Sequence, residues 1–151
     1  MKAVCQRVSE ASVKVEGNCI GKIQAGILIL LGIGPQDNKS IAKALALKIA
    51  GLRIFPDDAD RMNLSLQDIA GGCLIVSQFT LYGDCKKGRR PFFGGAAHPQ
   101  LATELCDVFT EAMRELIDNV ETGQFGASME VSLVNDGPVT LVLDSDELGL
   151  S

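Results

Sequence analysis

From Ala3 to Val8, apolar and polar residues alternate in part, with Val4, Gln6 and Val8 opposed to Cys5 and Arg7, the two-residue period of a strand. Ser12 to Glu16 alternates again, Gly17-Asn18 offers a turn, and Cys19 to Gln24 can return as the second arm of a hairpin. Gly26 to Ile33 is a continuous Ile/Leu run, as expected of a strand covered on both faces. The period then changes. After Asp37 or Asn38, either able to cap a helix, Ile41, Leu45, Ile49 and Leu52 recur at helical spacing. A second helix opens near Pro99, with Leu101, Leu105, Val108, Phe109, Ala112 and Leu116 on one face and Glu104, Asp107, Glu111 and Arg114 on the other.

Between and after the helices the pattern predicts further strands. Leu52 to Phe55 suits a short one, followed by an acidic turn from Pro56 to Asp60. That turn lacks a calcium loop's signature, because Met62 and Asn63 stand where the signature needs Asx and Gly. Cys73 to Phe79 is a strongly apolar strand, Thr122 to Gly126 a loop, and residues 145–151 a flexible tail beyond a single domain over 1–144. Met129 to Val134 and Val139 to Leu143 are apolar stretches that meet at Asn135-Asp136-Gly137-Pro138, a strong signal for a hairpin turn. Pro138 has no N–H and cannot join a ladder, and a Gly-Pro pair presents a stiff backbone edge that can approach a ligand closely. The whole is a mixed α/β chain.

Composition narrows the class. At 151 residues and 46% hydrophobic, the chain can bury a core of its own without staples. No apolar run approaches a membrane span and no Lys/Arg-led signal peptide opens the chain, so a cytoplasmic protein is expected. Five widely spaced cysteines without a C-x-x-C pair suit reduced thiols, and one histidine cannot supply a zinc cluster, so no metal or cofactor is expected. A net charge of −5 argues against binding nucleic acid over the whole surface. It leaves room for a local patch, and Lys86, Lys87, Arg89 and Arg90 form one.

Few residues are placed for chemistry. His98 has no acid at a spacing that would orient it, and no nucleophile elbow or phosphate-binding glycine motif is present. What remains is the polar close of an apolar strand, Ser77, Gln78 and Thr80 with Phe79 between them. Thr80 could act as a nucleophile but lacks a base. Backbone N–H groups at Phe79 and Thr80 could instead stabilise a developing oxyanion, with Gln78 positioning the substrate, which suits an already activated ester.

Five segments carry a closer resemblance: QRVSEASVKVEG from Gln6, LRIFPD from Leu52, MNLSL from Met62, SQFTLYGD from Ser77 and MEVSLVNDGPVT from Met129. In this order and spacing they resemble the D-aminoacyl-tRNA deacylases over nearly the full length. The resemblance implies a homodimeric, β-barrel-like fold with an antiparallel-rich sheet and two long amphipathic helices packed outside. It implies hydrolysis of the ester joining a D-amino acid, or glycine mischarged on tRNA-Ala, to the 3′ end of tRNA, without cofactor, membrane or DNA. The family's pocket falls on Ser77, Gln78, Phe79 and Thr80. Gly137 and Pro138, as a cis pair, would enter the partner subunit's pocket with Arg7 holding them, and Phe125 and Met129 would lie near the terminal adenosine or in the pocket wall. An edge of main chain beside the substrate Cα would leave room for hydrogen but not for a side chain, so L-residues would clash.

Two positions depart from the family pattern: Gly83 stands where Ala is common, and Phe92 where Ser is usual. Two rival functions share the pocket. One is a non-catalytic binder of the tRNA 3′ end or synthetase accessory, and the other a relative specialised for L-alanyl-tRNA.

Overall fold

In the computed structural model, which describes residues 1–151, the predicted strand Ala3–Val8 and the hairpin arm Ser12–Glu16 are joined in one strand, β1 (Lys2–Val15). It is long enough to pair with three others. β2 (Asn18–Ile23) lies antiparallel to its C-terminal half, β3 (Gly26–Gly32) antiparallel to its N-terminal half, and β8 (Glu130–Asp144) antiparallel along its other edge. Beyond β3 the sheet continues in parallel through β6 (Gly72–Ser77) to β7 (Val120–Thr122). The strand order is β2-β1-β3-β6-β7, with β8 beside β1, which curls the sheet into a nearly closed barrel.

The continuous Ile/Leu run of β3 is covered on both faces. Ile27, Ile29 and Leu31 point into a large core shared with the helices α1 (Lys39–Ala50) and α2 (Pro99–Arg114), while Leu28 joins Val8, Val13, Ile23, Leu74 and Val76 in a small core inside the curl. α1 begins where the Asn38 side chain accepts the Ile41 N–H at 3.0 Å, and ends at Ala50 against Gly51, so Leu52 falls outside it. α2 starts with Pro99 in its first turn and buries Ala102, Leu105, Phe109 and Met113. The fold is thus mixed α/β with a barrel-like sheet and two outer helices.

Several expectations need correction. The short strand is not Leu52 to Phe55 but β4 (Phe55–Pro56), paired with a strand the pattern did not predict, β5 (Met62–Leu64). Between them the Asp57 carboxylate accepts the Ala59 and Arg61 N–H groups and the Asn63 amide, so the acidic turn is closed by its own backbone. The Thr122 end of the expected loop belongs to β7. Residues past Asp144 run back over the chain start: Ser145 is buried and its hydroxyl accepts the Met1 ammonium at 2.7 Å, and the Ser151 carbonyl accepts the Ser40 hydroxyl.

The largest correction concerns Asn135-Asp136-Gly137-Pro138, which is not a hairpin turn. β8 is one strand that pairs with β1 on both sides of this segment. Asn135 lies opposite Val8 and Thr140 opposite Gln6, so Asp136 to Val139 leave the ladder across from Arg7 alone and then rejoin it. A turn signal has been spent on an excursion.

Candidate active site

β6 ends at Ser77, two residues earlier than predicted, and Phe79–Tyr82 forms a single 3-10 turn. The change of period turns Ser77, Gln78 and Phe79 into the wall of an open cavity of about 710 Å³. Val76, Phe125, Met129 and Val131 line it from β6 and from the chain around the start of β8, Pro35 from the link between β3 and α1, and Phe93 and Ala97 to Pro99 from the approach to α2. That approach is held by the Ala97 N–H, which donates to the Ile33 carbonyl at 2.9 Å just beyond β3. Phe79 and Phe93 meet edge to face with ring centres 5.3 Å apart.

Thr80 stands beside the lining and its hydroxyl oxygen accepts the Gln78 side-chain amide. No base is bound to it. As the first residues of a helical turn, Phe79 and Thr80 have no intrahelical acceptor for their N–H groups, and no carbonyl outside the regular elements takes them. The turn thus sets the main-chain N–H groups of Phe79 and Thr80 at the polar end of an apolar wall. Tyr82 closes it from behind. Burial, with Asp37, Asp144 and Asp146 nearby, raises its phenol above the usual range, so it stays protonated, and Lys2 Nζ lies 5.0 Å from its ring centre. Three of the thiols are poor nucleophiles: burial pushes Cys5 and the half-buried Cys106, which lines the neighbouring hollow, up to about 12, and raises Cys73 further.

The second group of expected residues is built elsewhere. Arg7, only 9% exposed, donates from Nε to the Asp136 carbonyl at 2.9 Å and from Nη1 to the Ile54 carbonyl at 2.7 Å. The base of the excursion is tied by Asn135, whose Oδ1 accepts the Val139 N–H at 3.0 Å and whose Nδ2 donates to Thr140 Oγ1 at 2.8 Å, while Val139 itself anchors in the large core. Asp136, Gly137 and Pro138 face outward, and the Gly137-Pro138 peptide is cis. Gly137 has φ +135°, and a Cβ there would lie 2.8 Å from Val139 Cγ2 and 3.0 Å from Arg7 Nη2. Only glycine fits.

Within one chain this edge does not line the cavity. Arg7 pairs with Ile27 and Ser77 with Leu31, ~13 Å farther along β3 at ~3.3 Å per residue, with further offset across the strands. Lys86, Lys87, Arg89 and Arg90 are exposed and make no ion pair. Their loop is clamped by a two-way backbone bridge between Asp84 and Phe92. Phe92 folds its ring over Gly94, where a Cβ would come within 2.2 Å of it, and a Cβ on Gly83 would come within 3.0 Å of the Phe93 ring. Sequence reasoning missed Phe93 and His98 as cavity residues, because only contacts distant in sequence bring the approach to α2 beside β6.

A family profile described as D-Tyr-tRNA(Tyr) deacylase matches residues 4–144. The chain belongs to this deacylase family. It is 58% identical over 98% of its length to the D-aminoacyl-tRNA deacylase of Thermosipho africanus, of which the match covers 99%. It is also 56% identical to that of Desulfatibacillum aliphaticivorans, covering 96% of this chain and 99% of the relative. Among solved structures it is similar to one described as a c-Myc DNA unwinding element binding protein, with a TM-score of 0.90 and 39% identity over 95% of this chain and 98% of that one. The fold is also that of a probable eukaryotic D-amino acid tRNA deacylase, with a TM-score of 0.81 at 16% identity. The chain is accordingly a hydrolase with D-aminoacyl-tRNA deacylase function, and not a non-catalytic binder.

Proposed function

We propose that this deacylase hydrolyses the ester of D-aminoacyl-tRNA, and of glycyl-tRNA mischarged on tRNA-Ala, in the cytoplasm, as a homodimer in which each Gly137-Pro138 edge closes the other subunit's cavity. The observation that carries this reading is the separation of two unfinished parts. A cavity open to solvent has Ser77, Gln78 and Phe79 on one wall, and a rigid, side-chain-poor edge faces outward elsewhere on the same chain. A second copy supplies each with what it lacks.

In this mechanism the ester carbonyl sits at the Phe79–Thr80 turn, whose N–H groups stabilise the oxyanion. Gln78 orients the substrate and Ser77 lines the floor. Phe125 and Met129 flank the terminal adenosine, and Lys86, Lys87, Arg89 and Arg90 attract the phosphates. Thr80 has no bound base, so the nucleophile is water assisted by the substrate's own ribose 2′-hydroxyl. Handedness is sensed by main chain: the partner's Gly-Pro edge admits hydrogen beside the substrate Cα and excludes a side chain. Each tenfold of discrimination needs only ~1.4 kcal/mol, which a clash with a rigid edge readily supplies. The D-side chain points away, so the enzyme discriminates little among D-residues.

Paired assays with the same tRNA charged with D- or L-tyrosine test this directly. The D-ester is released at catalytic protein levels and the L-ester is spared by at least about a hundredfold, ~2.8 kcal/mol of differential binding. Equal release of both defeats the edge mechanism. A third arm with the L-alanyl ester tests the L-alanyl specialisation: release of that ester with the D-ester spared would favour it.

A further inference from the structure

A polynucleotide whose aminoacyl end fills the cavity has to leave it past one rim or another, and the two rims differ in charge. Where Ser77 and Phe125 form the wall, the neighbouring hollow is lined by Asp107 and Glu111 of α2 against a single cation, Arg114, which Glu111 already holds. The outer face of α2 also carries Glu104, which Lys39 pairs at 3.0 Å, and Glu115 follows at its C-terminal end. A phosphate backbone is repelled there. The other rim, at Phe93 and Gly94, continues through Phe92 into the clamped loop with its four unpaired cations. Phe92 is 68% exposed, lies over Gly94, and is fixed by two backbone hydrogen bonds to Asp84. Phe79 and Phe93, 58% and 38% exposed, meet edge to face, whereas Phe92, next to the cations, has no aromatic partner and the most exposed ring of the three.

Resting on the deacylase reading above, we propose that Phe92 is a stacking platform for a nucleobase of the single-stranded tRNA 3′ arm upstream of the aminoacylated adenosine, with Lys86, Lys87, Arg89 and Arg90 holding the adjoining phosphates. An aromatic face beside a row of cations is the arrangement that binds single strands without reading their sequence. The fixed backbone at Phe92 presents the ring already oriented, so little ordering is lost on binding. The arm thus runs over the basic loop and away from α2.

The test compares two substrates, a full D-aminoacyl-tRNA and a 3′-D-aminoacyl adenosine that has the reacting ester but no upstream nucleotide. Phe92→Ser raises KM for the tRNA by about tenfold, the lower part of the range for losing one stacked base, and leaves kcat and the adenosine substrate unchanged. Phe92→Trp keeps KM for the tRNA at or below the wild-type value. The proposal is overturned if Phe92→Ser affects both substrates alike or neither, or if Glu111→Lys lowers KM for the tRNA while Phe92→Ser has no effect, which would route the arm along α2. Failure of the wild-type protein to cleave either substrate would instead defeat the deacylase reading itself, so the two failures are told apart.

Discussion

At the scale of single residues, the hydroxyl of Thr80 is the group whose role the structure constrains most. Its oxygen is an acceptor for Gln78 and no base takes its proton, so at neutral pH it is a weak nucleophile. Thr80→Ala is therefore expected to keep single-turnover deacylation within about threefold of wild type, because the turn's N–H donors are main chain and survive the change. A loss of about a thousandfold or more would return Thr80 to the role of nucleophile. Gly137 shows the opposite sensitivity. Its positive φ and the short approaches to Arg7 and Val139 leave no place for a methyl group.

At the scale of elements, the β4–β5 turn is held by a carboxylate. The Arg61 N–H, with the Ala59 N–H and the Asn63 amide, keeps Asp57 below the usual carboxylate range, and Ser65 does the same for Asp68. A folded-state pKa below the unfolded one gives stability that is present above the unfolded value, near 4, and lost as pH falls through the folded value. Amide exchange at Ala59 and Arg61 is thus expected to speed up, relative to amides of β3, when pH is lowered from about 5 to about 2.5. Asp57→Asn should flatten that dependence, and an unchanged profile in the variant would remove Asp57 as the cause. These elements also show what local pattern conveys. The helices were legible because Ile41, Leu45 and Ile49 or Leu105 and Phe109 repeat within one window, with the Asn38 cap marking one start and Pro99 the other. β8 was not legible as one strand, because Asn-Asp-Gly-Pro satisfies every local criterion for a turn. What carries the strand past it is pairing with β1 on either side, a contact with residues more than a hundred positions away. The same holds for the cavity: Ser77 to Phe79 stand out as the polar close of an apolar run, whereas Phe93 and His98 reach them only through contacts distant in sequence, among them the Ala97–Ile33 bond and the Phe79–Phe93 ring contact.

At the scale of the whole molecule, charge and shape are divided between functions. The net charge of −5 is carried in part by the outer face of α2, while four of the fourteen cationic side chains lie in the one loop beside the cavity rim. The edge formed by Gly137 and Pro138 is braced from below by Arg7, Asn135 and the buried Val139, and left bare on top. An outward-facing edge and an open cavity on one chain make sense as the two halves of a joint with a second copy. Co-expression of Gln78→Ala and Gly137→Ala chains tests this claim most directly, because each homodimer has two damaged sites while the heterodimer has one intact cavity facing one intact edge. The account predicts that purified heterodimer regains D-selective deacylation at about half the wild-type activity per dimer, since one of its two sites is complete. A heterodimer no more active or selective than either parent, or a wild-type protein that sediments as a monomer while fully active, would contradict it.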